Sequence, residues 1–293
     1  MSSSWKRLLN IAGGALGLLG VVFVVFRLRH YAGEIEFSRF GRGDWVGIAF
    51  LCLSYGGSNW FLSKAWQKLL FYFKVPIEIR RAVRIYGLSQ LAKYVPGNIF
   101  HLAGRQALGT AAGLPSGGLI KSTFWELGLI AVAGSLFSPL LVPLLWGATP
   151  YLFSLGLWGV VLSSALFFIR RIFSAEVSCA LLWHCVFFVV SGSVFIALLG
   201  TVSSIDFPAP LWPALCGSYV ISWLAGFITP GAPAGVGVRE FVLLFLLKGL
   251  VTESDLLLVI VLGRAVTVVG DVLFFLGALL IRDSGSRAIV RTA

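Results

Sequence analysis

Apolar runs near twenty residues long, broken by short polar or basic stretches, set the pattern of this chain. Such a run crosses a hydrocarbon layer of roughly 30 Å as a helix, which satisfies its own backbone hydrogen bonds there. The pattern predicts spans at 8–26, 45–63, 118–137, 151–169, 178–200, 212–229, 236–250 and 255–281, the seventh being short. The expected fold class is all-α: a polytopic helical membrane protein in which residues 1–293 form a single integral membrane domain with about eight membrane helices.

Two stretches do not read as continuous helices. LSQLAKYVPGNIFHLAGRQALG, 88–109, is interrupted by Pro96 and Gly97, and AGFITPGAPAGVGVREFVLL, 225–244, carries Pro230, Gly231, Pro233, Gly235 and Gly237. Proline removes a helix donor and glycine eases sharp turns, so each stretch is expected to form broken or re-entrant half-helices. Such backbone survives at membrane depth where protein or a watery cavity satisfies it. An arginine follows nine residues after a proline in both, Pro96 to Arg105 and Pro230 to Arg239. The match suggests an inverted repeat with approximate halves 45–137 and 178–281, and a transport site where the halves meet.

Composition strengthens the membrane reading. A hydrophobic share of 58%, a charged share of 12% and a mean hydropathy of +0.93 leave too little polar surface to coat a water-soluble protein. The 23 Lys and Arg against 12 Asp and Glu give a net charge of +11. In this setting that excess reads as basic segments beside an anionic cytoplasmic leaflet, with no nucleic-acid partner. Lys64, Lys68, Lys74, Arg80, Arg81, Arg84 and Lys93 face only Glu78, which places their segment inside. Arg170, Arg171, Arg282, Arg287 and Arg291 fit the same layout, with both termini cytoplasmic and the first span retained as a signal anchor. The basic-free TVSSIDFPAPLWP is then outside; Arg27, Arg29, Arg39 and Arg42 argue weakly the other way, nearly offset by Glu34, Glu36 and Asp44. Cys52, Cys179, Cys185 and Cys216 lie in apolar text as packing residues, and with three scattered histidines they suggest no disulfide, metal site or cofactor.

Ionisable residues within apolar text are expensive unless paired or hydrated. Glu126 has no adjacent base, so its partner must come from elsewhere, with Arg105 and Arg239 as candidates. Adjacent Arg239 and Glu240 point about 100° apart on a helix and need separate partners. Arg264 and Asp271 are too far apart along a helix to pair directly, but can line one cavity. The structural reading is ion pairs that lock the bundle, or side chains snorkelling to headgroups. The functional reading is that the arginines bind an anionic headgroup such as phosphate, with Glu126 and Glu240 orienting them. Lys93 and Tyr94 suit the membrane boundary, either reaching a phosphate or acting as plain anchors, and Asn98, His101 and Gln106 offer neutral hydrogen bonds in the same vestibule.

KYVPGNIFHLAGR at 93–105, KSTFWE at 121–126 and TPGAPAGVGVRE at 229–240 together resemble the transmembrane flippase-like region of lysylphosphatidylglycerol synthases and of many stand-alone membrane proteins. The Pro-Gly run ending in Gly-Val-Arg-Glu is the most specific of the three, and the likeness covers residues 5 to 281. It maps Pro96, Gly97 and Arg105 onto the first motif, Glu126 onto the second, and Pro230, Gly231, Gly235, Gly237, Arg239 and Glu240 onto the third. Ala232, Pro233 and Ala234 stand where members of that family often have glycine, implying a stiffer turn. The resemblance implies a lipid-accessible cavity enclosed by broken helices; in bifunctional relatives this region is associated with moving aminoacylated phospholipid across the bilayer. No soluble aminoacyl-transfer domain is expected after residue 281, nor an ATPase phosphate loop.

The expectation is thus a transporter in a prokaryotic plasma (inner) membrane, moving an anionic or aminoacylated phospholipid, or a polyprenyl-phosphate lipid. Two other readings stay open: a non-transporting partner of a membrane glycosyltransferase or lipid synthase, and an intramembrane transferase acting on a polyprenyl phosphate. The transferase would need close carboxylates or a metal, and neither is evident. Gly13, Gly17 and Gly20 on one side of the first span leave helix association, including a homodimer, open as well.

Overall fold

The computed structural model describes residues 37–95, 99–147, 149–203, 205, 207–229 and 237–282, together with Val22, Phe26, Arg29, His30, Gly33 and Ile35. Among these residues the chain is all-helical, without a strand. The longer helices are α1 (Arg42–Tyr72), α2 (Ile79–Gln90), α3 (Phe100–Ala111), α4 (Ser116–Ser135), α5 (Tyr151–Ile172), α6 (Ala175–Val202), α7 (Trp212–Ile228), α8 (Val238–Leu246) and α9 (Glu253–Leu280).

Among the described residues, five segments are long and apolar enough to cross a membrane: Ser116–Leu145, Tyr151–Ile172, Ala175–Val202, Ala209–Ile228 and Glu253–Leu280. They coincide with five of the expected spans. The expected span 45–63 lies inside α1, a 31-residue helix whose middle, SYGGSN at 54–59, dilutes its apolar character. That polar stretch is buried at Ser58 and Asn59, so it serves contacts within the bundle. The expected span 236–250 contains only the nine-residue α8. At 1.5 Å per residue α8 reaches roughly 14 Å, under half of a hydrocarbon core. Apart from Val22 and Phe26, the span 8–26 lies outside the described residues.

The basic stretch between Lys64 and Lys93 is not a simple loop. It continues α1 to Tyr72 and then forms α2, which buries Ala82, Val83, Ile85, Tyr86, Ser89 and Gln90 against α1 and α9. Its hydrophobic positions recur at helical spacing, which leaves Arg80 exposed and Arg81 and Arg84 half-buried. The broken stretches behave alike on either side of their interruptions. A 3₁₀ turn at Leu91–Tyr94 precedes Pro96, and α3 begins at Phe100; α7 ends at Ile228, and α8 begins at Val238. Pro96, Gly97, Asn98, Pro230, Gly231, Pro233 and Gly235 lie outside the described residues. Gly237 is described and adopts φ +85°, a left-handed conformation that favours glycine, immediately before α8.

Helices α1 and α6 form the centre, with α9 packed along both. By contrast, α5 has only 6% of its apolar window buried and exposes Leu152, Phe153, Val160, Phe167 and Phe168, as a helix bordered by lipid does. The α1–α9 crossing depends on two glycines: a Cβ on Gly56 would lie 2.7 Å from the Gly270 carbonyl oxygen, and one on Gly270 would lie 2.9 Å from the Cys52 carbonyl oxygen. Both obstacles are backbone, so the helices could accept a side chain only by separating. Gly57, next along α1, has open space around its Cβ position.

Gly56→Ala is therefore expected to lower unfolding stability by about 1–3 kcal/mol through overpacking. Gly57→Ala should be neutral or stabilising by up to about 1 kcal/mol, through helix propensity. Thermal unfolding of the two variants in detergent micelles checks the opposite signs; equal melting shifts would contradict the crossing.

Candidate functional site

Polar side chains from α1, α2, α4 and α9 meet around one interior space. A cavity of about 420 Å³ lies between both halves of the chain. Tyr55, Tyr86, Gln90, Lys93 and Tyr94 line it from the first part of the chain, with His101 and Arg105 from α3 and Glu126 from α4. Tyr219 and Trp223 on α7, Arg239 on α8, and Arg264 and Thr267 on α9 complete the wall. The volume is within the range of small-ligand sites.

Arg105 is 1% exposed and forms an ion pair with Glu126, near the middle of the twenty-residue α4. Of the two candidate partners for Glu126, the structure selects Arg105. Tyr86 donates a hydrogen bond of 2.9 Å to the other Glu126 oxygen, and its ring lies 3.8 Å from the Arg105 guanidinium carbon. Trp66 stands 5.4 Å from the same carbon and donates to Ser122 Oγ at 3.1 Å. The guanidinium thus has both a counter-charge and aromatic faces, two ways to offset its lost hydration.

Asp271 is fully buried on α9, one residue beyond the Gly56–Gly270 crossing. It pairs with Lys93 at 2.6 Å and accepts hydrogen bonds from Asn59 at 3.1 Å, Gln90 at 3.4 Å and the Tyr94 hydroxyl. Gln90 also donates to Asn59 Oδ1 at 2.9 Å. This revises two expectations. Asp271 does not line the cavity with Arg264 but lies beneath Lys93, and Tyr94 serves Asp271 rather than standing apart as an interface anchor. A buried carboxylate requires donors, and the nearest ones are on these segments.

Arg264 pairs with Glu240, which gives Glu240 the partner on another segment that helical geometry calls for, whereas the separate partner expected for Arg239 is not found among the described residues. Arg239 differs from the other three cations. Among the described residues no carboxylate lies within 4.0 Å of it and no hydrogen bond is made by its guanidinium, which stands 5.4 Å from the Trp223 ring. His101 reaches the cavity, whereas Gln106 turns away to donate to Leu119 O at 2.9 Å and Thr123 Oγ1 at 2.7 Å on α4. Gln106 therefore closes the α3–α4 hairpin instead of serving the vestibule.

Several participants gave little signal in the sequence. Tyr86, Trp66, Tyr219 and Trp223 read as ordinary aromatic helix residues, although they face the arginines. Asn59 had a usable signal, as an amide amid apolar text. Among the described residues no cluster of three His, Cys, Asp or Glu is arranged to hold a metal ion. Neither a family model, nor a curated protein, nor a solved structure matches this chain.

The Arg105–Glu126 pair yields a stability prediction. Glu126→Gln leaves a buried guanidinium uncompensated and should cost about 3–5 kcal/mol, whereas the paired Arg105→Met/Glu126→Leu replacement should cost much less or nothing. Tyr86→Phe removes only one hydrogen bond and should cost about 1–3 kcal/mol. Denaturation midpoints in detergent check this order, and a double variant less stable than Glu126→Gln would refute it.

Proposed function

We propose that this chain binds the anionic headgroup of a membrane lipid in the central cavity and carries it between leaflets, the hydrocarbon tail remaining in lipid. The observation that carries this reading is Arg239: a guanidinium without a carboxylate partner among the described residues, lining a cavity inside a bundle of apolar helices. A cation held there without compensation is costly and invites an anion. An incoming phosphate would exchange hydration for guanidinium and tyrosine donors, lowering the desolvation cost of crossing. Phospholipids, aminoacylated or not, and polyprenyl-phosphate lipids all present such a group.

The repeat is part of the proposal. Arg105 and Arg239 each sit on a short helix that follows a broken stretch, each faces an aromatic ring, and both reach the same cavity from opposite halves. That pairing supports alternating exposure of one shared site. The basic segments between Lys64 and Lys93 and at Arg170 and Arg171 support an orientation with both termini cytoplasmic, and the prokaryotic plasma membrane setting rests on the resemblance. The three closed ion pairs would equally suit a non-transporting partner of a glycosyltransferase or lipid synthase, and it is Arg239 that favours transport.

The test is leaflet movement in sealed proteoliposomes, using phospholipid and polyprenyl-phosphate reporters with quenchable or enzyme-accessible headgroups. Arg239→Ala should slow movement about tenfold or more, the worth of one charge-assisted contact. Arg171→Ala, at the exposed end of α5, should leave it unchanged. Equal rates in protein-containing and empty vesicles, for every reporter and with an imposed proton gradient, would overturn transport.

A further inference from the structure

The charge balance of the cavity goes beyond a general preference for anions. Among the described residues four cations line it, and three have a carboxylate of their own: Lys93 with Asp271, Arg105 with Glu126, Arg264 with Glu240. The fourth, Arg239, leaves a surplus of one positive charge. Near it stands the hydroxyl of Tyr219, which can donate a hydrogen bond to an oxygen without adding charge, whereas the Thr267 hydroxyl is already donated to the Arg264 carbonyl at 2.9 Å.

We infer that the cavity selects a phosphate group bearing one negative charge, a phosphodiester, over a doubly charged phosphomonoester. The inference rests on the headgroup-binding reading above and specifies its substrate class. A diester monoanion neutralises the Arg239 surplus. A terminal monoester carries about −1.5 to −2 at neutral pH and so brings about half to one uncompensated charge into a partly dehydrated site. It could gain a second cation only by displacing a carboxylate from Arg105, Arg264 or Lys93, which leaves that carboxylate without its partner.

Binding of labelled lipids to the whole protein in neutral detergent, with matched acyl chains, tests this. Phosphatidylglycerol is the diester probe, phosphatidic acid the monoester and phosphatidylcholine the zwitterionic reference. At pH 7.5 phosphatidylglycerol should bind about tenfold more tightly than phosphatidic acid. Glu240→Gln releases Arg264 and adds one positive charge to the cavity, so the preference should shrink or invert. Should that variant not fold, the wild type suffices. The second ionisation of a phosphomonoester lies near pH 6. The phosphatidylglycerol advantage should therefore be small at pH 5 and grow through pH 7. The charged and titratable neighbours of Arg239 are Tyr55, Tyr219, Glu240 and Arg264, with His101 and Lys93 also lining the cavity. A change in charge at any of these would also alter the affinity of phosphatidylglycerol relative to phosphatidylcholine, so a pH trend is assigned to the lipid's own charge where that second ratio stays flat.

A ratio near one that is flat with pH, or unchanged in folded Glu240→Gln, overturns the charge assignment while leaving anionic headgroup binding intact. Binding of both anionic lipids no better than phosphatidylcholine overturns the headgroup reading itself. Glycerophosphoglycerol, the same diester without acyl chains, separates the sources. If it fails to displace phosphatidylglycerol, the site is one for lipid diesters; displacement at similar concentration keeps the charge class but overturns the lipid source.

Discussion

A charge removed from water among apolar helices is costly without an opposite charge, and this cost shapes how the bundle is assembled. Asp271 shows it most fully: its carboxylate draws Asn59 from α1, Gln90 from α2 and the Lys93–Tyr94 turn onto α9. None of these segments adjoins α9 in sequence. The Gly56–Gly270 contact works with this network, since it brings the α1 and α9 backbones close just where Asn59 must reach Asp271. Close packing and a satisfied buried charge therefore depend on each other at one crossing.

The same requirement shapes the cavity. Arg105 is held by Glu126 and two aromatic rings, Arg264 by Glu240, and Lys93 by Asp271. These pairs fix the walls in place, because loosening any of them exposes an unpaired charge to a low-dielectric interior. Arg239 lies on the nine-residue α8, the shortest of the helices that reach the cavity, beside the Trp223 ring. A site with internally compensated walls and, among the described residues, one available cation can offer attraction to a ligand without dismantling its own supports.

The periphery follows a different rule. Along α5, Leu152, Phe153, Val160, Phe167 and Phe168 face the surroundings, while Arg105, Glu126 and Asp271 are buried in the interior. Large exposed apolar side chains together with fully buried charges depart from the usual arrangement of water-soluble domains and agree with the low charged share of the whole sequence. It also explains why α1 looks less like a membrane segment than its neighbours: its polar middle faces inward, towards Asp271.

Helical class, five apolar segments and the interruption of helix near Pro96 and Pro230 were determined by the sequence, because hydropathy and proline chemistry act over a few residues. That Arg105, Glu126, Arg239, Glu240, Arg264 and Asp271 call for partners or hydration was equally legible, since charge in apolar text is conspicuous wherever the chain folds. Their pairing was not. Glu126 had two candidate arginines, and Asp271 looked like a companion of Arg264 until the fold brought Lys93 and Tyr94 over it. The aromatic walls at Tyr86 and Trp223 were hidden for the same reason, as an aromatic residue in a helix reads alike whether it meets lipid, core or guanidinium. Local chemistry sets which groups need a partner, and only tertiary packing, across separations of up to 212 residues, decides which partner is within reach.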